Sequence, residues 1–186
     1  RVLMACLNNK VRRLVFASSA TIYGEQGKYP TPEACKPNPM SPYALHKLIG
    51  EQYCQLFESI YGLETNCLRL FNVYGSRMNP DGSYASLMPK FIKLMRRGEP
   101  PPIYGTGAQS RDFVYVDDVI DAFLLAGVSD AHGEVINIGS EKTYAVRVIF
   151  DLLRSRLSVN VNPVYEPAVI EPEMTLADCE KALRLL

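Results

Sequence analysis

The sequence lacks a glycine-rich turn, a long apolar run and an excess of charge of either sign. Neither Gly-x-Gly-x-x-Gly nor Gly-x-x-Gly-x-x-Gly occurs in the 186 residues, so the phosphate-binding turn of a dinucleotide site does not lie in this stretch of chain. No apolar run approaches the roughly 20 residues that a membrane-spanning helix requires. Twenty basic and twenty acidic side chains cancel, which argues against a nucleic acid or a membrane as partner.

Metal ligands and paired thiols are also scarce. The five cysteines are scattered and include no Cys-x-x-Cys pair, which argues against a zinc site or a disulfide framework and is typical of a reducing compartment. The two histidines, His46 and His132, are too few to form a metal site by themselves. We therefore expect a cytoplasmic protein with no bound metal.

Strand and helix patterns alternate along the chain, which predicts an α/β fold with a mostly parallel sheet. Strands are predicted over 12–18, 64–70, 112–116 and 134–138. Helices are predicted over 1–9, 41–61, 86–97, 117–126 and 143–157, with a loop over 19–40 and a last helix near the C-terminus. Ser41 and Pro42 are typical of a helix start, and Gly62 is typical of a helix end.

Two short segments carry residues suited to chemistry. The segment Ser18–Gly24 follows an apolar run that is typical of a buried parallel strand. Tyr43 and Lys47 are four positions apart, so they share one face of the helix that begins near Ser41. A tyrosine can remove or return the proton of a substrate hydroxyl, and a neighbouring lysine cation favours its deprotonated form. Together they indicate hydride chemistry on an alcohol, which needs a nicotinamide cofactor.

Four segments in order, Phe16–Gly24, Ser41–Lys47, Leu68–Gly75 and Arg111–Val119, resemble the extended short-chain dehydrogenase/reductase family, specifically its nucleotide-sugar epimerases and dehydratases. The resemblance covers the chain from the middle of the cofactor domain to near its end. It implies a Rossmann-like doubly wound parallel sheet, of which the C-terminal half is present here, with a smaller substrate-binding α/β region. The chain is therefore interpreted as a fragment that lacks the N-terminal glycine-rich part.

The resemblance also divides the chain into two parts. Residues 1–75 are expected to be the remaining part of an NAD-binding Rossmann domain. Residues 76–186 are expected to bind mainly the nucleotide sugar, with 112–127 packing back on the Rossmann domain.

The implied catalytic residues are Ser19, Tyr43 and Lys47. Tyr43 would be the acid and base at the 4-hydroxyl of the sugar, Lys47 would hydrogen-bond the nicotinamide ribose of NAD, and Ser19 would hydrogen-bond the reacting oxygen. The implied cofactor contacts are Ser18, Tyr43, Lys47, Phe71 and Val73, and the implied substrate contacts are Asn72, Leu87 and Arg111.

Simpler interpretations stay open for several of these residues. Asn72 could be an ordinary turn residue, and Arg111 could form a surface ion pair with Asp112 or Asp117. Asp117 itself is better explained as a helix cap than as a catalytic acid.

The residues at the turn after the first predicted strand differ between family members that catalyse different reactions. The 4,6-dehydratases resemble Thr-Asp-Glu at this turn and the related decarboxylases resemble Thr-Ser-Glu, whereas this chain has Ser19-Ala20-Thr21. Neither Ala20 nor Thr21 can act as a carboxylic acid. The sequence therefore favours a 4-epimerase of UDP-hexoses, by transient oxidation at C4 and hydride return. The alternatives are a dehydratase, decarboxylase or reductase of the same family, or a truncated chain without catalysis.

Two departures from the family lie near the C-terminus. The family's Arg-x-Gly-acidic segment, which grips the nucleotide, corresponds to Ala168–Glu171, so its arginine is absent. Thr175 takes a place that is filled in some epimerases by a bulky aromatic side chain, and a small residue there leaves room for an N-acetyl group. The intact protein is expected to be a homodimer, and the 186-residue chain alone is expected to be inactive.

Overall fold

The computed structural model describes residues 1–81 and 86–186. The helices are α1 Val2–Asn8, α2 Pro42–Tyr61, α3 Leu87–Arg96, α4 Val116–Val128, α5 Val146–Leu157 and α6 Glu180–Leu185. The strands are β1 Arg13–Ser19, β2 Glu64–Leu70, β3 Asn72–Tyr74, β4 Pro102–Tyr104, β5 Ser110–Tyr115, β6 Glu134–Ile138, β7 Thr143–Ala145 and β8 Val164–Glu166. Within the described residues, every helix is too short or too polar to cross a membrane.

The main sheet has the strand order β1-β2-β6, and both pairs of strands are parallel. Successive residues of the middle strand, β2, point to opposite faces of the sheet. Arg69 faces α2, where it meets Glu51, whereas Leu68 faces α4 and packs against Val119 and Ala122. Helices therefore cover both faces, which confirms the doubly wound α/β fold predicted from the sequence.

Two smaller sheets and a second core lie in the later part of the chain. Strand β5 pairs in parallel with β3 and antiparallel with β7, and β4 pairs in parallel with β8. The second core packs α3 against α5 through Phe91, Met95 and Phe150, with Ile103 of β4 among them. The division of the chain into a cofactor part and a substrate part at residue 75 stays a prediction.

The predicted elements with strong local patterns are confirmed to within about a residue: α2, β1, β2 and β6. Ser41 caps α2, since its Oγ accepts a hydrogen bond from the Ala44 amide at 3.1 Å, and Gly62 ends the helix in the left-handed conformation at φ 68°. The helix predicted over 143–157 is wrong in its first turn, because Thr143–Ala145 forms strand β7. That segment pairs with β5, and tertiary pairing overrides the local pattern.

A buried polar network joins the layers of the main sheet. The guanidinium of Arg69 makes two hydrogen bonds to the carboxylate of Glu51, at 3.0 Å and 2.8 Å, and a third at 2.9 Å to the hydroxyl of Tyr23. Tyr23 donates in turn to Oδ1 of Asn137 at 2.7 Å, and Ser18 donates to Glu51. We call these five residues the Arg69 network. It connects α2, β1, β2 and β6 with the loop after β1.

The ion pair of Arg69 and Glu51 is deeply buried, since the two side chains are only 6% and 3% exposed. Substitution of Arg69 therefore tests how far the stability of the fold depends on this network. We expect Arg69→Leu to lower the free energy of unfolding by about 3–5 kcal/mol, since it leaves the Glu51 carboxylate buried without its partner. Urea unfolding followed by circular dichroism measures the change.

Arg12→Leu is the matched control, because Arg12 is 71% exposed and lies 3.5 Å from Glu64. Its loss should lower the free energy of unfolding by less than about 1 kcal/mol. Equal effects of the two substitutions would contradict a structural role for the Arg69 network.

Candidate active site

A cavity of about 310 Å³ opens where β1 and β2 end. Ligands of open α/β sheets bind at this carboxyl edge of the strands. Its wall contains four of the residues that the sequence singled out as site residues: Ser19, Phe71, Asn72 and Arg111. The rest of the wall comes from the loop after β1 and from the segment 170–175 near the C-terminus. The structure therefore brings together residues from four separate parts of the chain.

Ser19 is fixed at the start of a 3-10 turn, Ala20–Tyr23, that follows β1 directly. Its Oγ accepts hydrogen bonds from the amide of Thr21 at 3.2 Å and from the hydroxyl of Thr21 at 2.9 Å. The turn ends at Gly24, where φ is +60° and a Cβ atom would lie 2.1 Å from the carbonyl oxygen of Asn38. Only glycine fits this close approach, so the local sequence fixes the position of the serine hydroxyl.

Tyr43 and Lys47 lie in the first two turns of α2 and are not among the residues that line the cavity. Nζ of Lys47 donates to the carbonyl oxygen of Ala17 at 2.7 Å and lies 5.5 Å from the ring centre of Tyr43. Tyr43 is 40% exposed. It lies two positions after Ser41, which is part of the cavity wall. The lysine cation is therefore held between the end of β1 and the tyrosine ring.

Three further candidates lie away from the cavity wall. Ser18 is buried and its hydroxyl donates to Glu51 in the Arg69 network, because neighbouring strand residues point to opposite faces and Ser19 faces the cavity. Val73 packs against the core under α4. Leu87 packs against the core between α3 and α5. The cofactor roles of Ser18 and Val73 and the substrate role of Leu87 stay predictions.

Arg111 forms an ion pair with a residue that neither sequence-based alternative named. Its Nη2 lies 2.7 Å from Oε2 of Glu171, and the arginine side chain is only 10% exposed. Asp112 cannot be the partner, since it points to the other side of β5 and accepts hydrogen bonds from the amides of Ser140 and Ala177. The pair is therefore a feature of the cavity wall, with Arg111 on β5 and Glu171 in the C-terminal segment.

The structure adds wall residues that sequence reasoning missed. Tyr29 lies in the wall, where its hydroxyl donates to Glu25 at 3.0 Å. The pKa of Tyr29 is raised, mainly by burial and secondly by the neighbouring Glu25 carboxylate. No sequence signal marks Tyr29. Thr175, noted for its small size, also lies in the wall and donates to Oδ1 of Asn72 at 3.4 Å. No cluster of three or more metal-ligating side chains occurs in residues 1–81 and 86–186.

Tyr23 links the cavity to the Arg69 network, because its ring lies in the wall while its hydroxyl lies in the network. Burial raises the pKa of Tyr23 to about 12, although the nearby cation of Arg69 opposes the shift. The folded chain therefore keeps a proton on Tyr23 that the unfolded chain loses near pH 10.

This shift predicts a pH dependence of stability. Between pH values of about 10 and 12 the folded state binds more protons than the unfolded state, so stability falls as pH rises, by about 2 kcal/mol in all. In Tyr23→Phe this component should disappear, whereas Tyr53→Phe, which alters a 54% exposed tyrosine, should keep it. Urea midpoints measured between pH 9 and 12 give the comparison, and identical slopes in the three proteins would rule the assignment out.

Comparison with known proteins places the chain in a family. Residues 1–139 match the family described as the NAD dependent epimerase/dehydratase family. A putative UDP-glucose 4-epimerase of Methanocaldococcus jannaschii is 40% identical over 84% of this chain and 50% of its own length. The chain thus spans about half the length of this curated relative.

Solved structures agree in both fold and extent. The UDP-glucose 4-epimerase of Thermotoga maritima, solved with UDP-glucose, has a TM-score of 0.94 and 38% identity over 98% of this chain and 60% of that one. The UDP-glucose 4-epimerase of Thermus thermophilus, solved with NAD, has a TM-score of 0.90 and 31% identity, again over 98% of this chain and 60% of that one. At these identities the likeness extends beyond the fold to sequence.

Proposed function

The chain belongs to the NAD-dependent epimerase/dehydratase family, and from this premise we propose that it is part of a nucleotide-sugar 4-epimerase that acts on UDP-hexoses. The observation that carries the proposal is the turn Ser19-Ala20-Thr21 in the cavity wall. Elimination of water and decarboxylation need additional acid groups beside the serine and tyrosine. Among the described wall residues, Glu171 alone carries a carboxylate, and it pairs with Arg111.

Proton transfer at the sugar's 4-hydroxyl is assigned to Tyr43, with Ser19 hydrogen-bonding the same oxygen. Ser19 suits this role because its hydroxyl is fixed by Thr21 and only 7% exposed. When bound, NAD would supply the acceptor for the hydride of C4 and the donor for its return. Tyr43 holds the hydroxyl proton in the interval and gives it back, so the reaction has no net redox change.

Lys47 fits the ribose end of NAD. Its ammonium is held by the Ala17 carbonyl next to Tyr43, and of its three N–H donors only one is used in that bond. The other two N–H donors are suited to the ribose hydroxyls. The glycine-rich turn that cradles the NAD phosphates is not among the 186 residues.

Substrate recognition is assigned to the opposite side of the cavity. Arg111 is suited to the pyrophosphate of a nucleotide sugar, because a planar guanidinium binds phosphate oxygens in pairs. Asn72 and Thr175, joined by a hydrogen bond across the wall, line the same cavity as Arg111 and Ser19. The small side chain of Thr175 leaves space for an N-acetyl group on the hexose.

The intact protein is proposed to be a cytoplasmic homodimer. The outer face of α2 is apolar, and its side chains Leu45, Ile49, Tyr53, Leu56 and Ile60 are between 38% and 60% exposed. A second copy of the same helix would cover this face. We propose further that the 186-residue chain alone lacks turnover, since it does not carry the glycine-rich turn.

Tyr43→Phe tests the assignment of the acid and base in the protein made from the complete reading frame. Loss of the phenolic oxygen should lower kcat for interconversion of UDP-galactose and UDP-glucose by at least about 100-fold. Tyr61→Phe, at the exposed C-terminal end of the same helix, should leave kcat unchanged. A Tyr43→Phe enzyme with the parent rate would refute the mechanism.

The same assay separates the alternative reactions. Transient oxidation returns every hydride, so absorbance at the NADH wavelength should not accumulate during turnover. Steady accumulation of NADH would favour an oxidative decarboxylase of the family. An intact protein that unfolds cooperatively but binds no NAD would favour a non-catalytic chain.

A further inference from the structure

The ion pair in the cavity wall joins two side chains with very different surroundings. Arg111 is 10% exposed, and besides Glu171 it has one hydrogen bond, from Nη1 to the carbonyl oxygen of Ser110 at 2.8 Å. The side chain of Glu171 is 37% exposed. An almost buried cation needs a negative partner, since an unpaired buried charge is strongly destabilising. Glu171 supplies that partner, and it does so from the solvent side of the cavity.

The backbone that carries Glu171 is anchored on its C-terminal side, at Glu173 and Thr175. The carbonyl oxygen of Glu173 accepts from the Ser110 amide at 2.9 Å, and the Thr175 amide donates to the Ser110 carbonyl at 3.1 Å. The amide of Glu173 also donates to Glu25 at 2.9 Å. These bonds tie the segment to β5 through its main chain. The side chain of Glu171 can therefore leave Arg111 without moving the segment.

A second contact is available to the displaced carboxylate. Nε2 of Gln109 donates to Oε1 of Glu171 at 3.3 Å and to the carbonyl oxygen of Tyr104 at 2.8 Å. Gln109 is half-buried and already donates to Glu171, so a carboxylate that leaves Arg111 and turns toward water keeps this donor. After Glu171 is exchanged for another anion, Arg111 thus keeps a negative partner, and Glu171 keeps a hydrogen-bond donor and contact with water.

We propose that Glu171 is an internal counter-ion that occupies Arg111 until the diphosphate of the nucleotide displaces it. Displacement costs the ligand one ion pair, which a diphosphate with several charges regains and an uncharged nucleoside or sugar does not. The pair therefore makes the cavity selective for diphosphate-linked ligands. This inference rests on the proposed function, because that function places the substrate's pyrophosphate at Arg111.

Calorimetric titration of UDP-glucose into the protein made from the complete reading frame tests the inference. Glu171→Gln keeps the size of the side chain and an acceptor for Gln109 but removes the competing charge, so Kd should fall about 3- to 10-fold. Glu173→Gln is the matched control, since it removes the same charge two positions away on an exposed residue. Its Kd should stay within about twofold of the parent.

A third and a fourth variant show whether the effect acts through Arg111. Arg111→Leu should weaken UDP-glucose binding at least about tenfold, and Glu171→Gln added to Arg111→Leu should cause no further change, because the pair is already broken. Uridine, which carries no phosphate, should bind the parent chain and Glu171→Gln equally.

The outcomes separate this inference from the proposed function. Binding that depends on Arg111 but is unchanged in Glu171→Gln overturns the counter-ion and leaves the substrate assignment intact. Weaker binding by Glu171→Gln also overturns it, since the carboxylate would then contact the ligand itself. Binding indifferent to Arg111→Leu, or no binding by the parent and Glu171→Gln alike, contradicts the pyrophosphate assignment and the counter-ion together.

Discussion

The buried ion pair between Glu51 and Arg69 holds helix α2 on the sheet. Two charges placed beneath α2 are tolerable only when each is fully matched, so Arg69 of β2 and Glu51 of α2 must sit opposite each other. This requirement fixes the position of α2 along the direction of the strands. Tyr43 and Lys47 lie on that same helix, one to two turns before Glu51. The position of Tyr43 and Lys47 near the end of β1 thus depends on a contact that lies outside the cavity wall.

The same network reaches the cavity through Tyr23. Its hydroxyl bridges Arg69 and Asn137, and its ring packs near Phe71 with centroids 6.4 Å apart. Since Tyr23 ends the turn that begins at Ser19, a shift of the ring would move the serine hydroxyl. The fully paired hydroxyl and guanidinium make such a shift costly, because any displacement leaves a buried polar group without a partner. The hydrogen bonds of the buried Tyr23 and Arg69 side chains therefore make the cavity wall more rigid.

Sequence patterns predicted the elements whose stability is local. Strand β1 contains the apolar run Leu14–Ala17, and α2 has both a cap and a stop, so these were accessible without the fold. The short strands β4 and β8 were not, because each has three residues and its strand partner lies about 60 positions away. Within the site, Ser19 was accessible from its place at a strand end. The partner of Arg111 was not, since Glu171 meets it only in the folded chain.

The neighbouring residues Arg111 and Asp112 show why that partner had to come from elsewhere. Alternation along β5 points the two side chains to opposite sides, and the Asp112 carboxylate is buried and accepts from two groups of Ser140 and from the amides of Glu141 and Ala177. It therefore has no capacity left to neutralise Arg111. Asp112 acts instead as the anchor that holds the C-terminal segment against β5, at Ala177. By fixing that segment it places Glu171 over the cavity, where an arginine without a permanent neighbouring anion is open to exchange one negative partner for another.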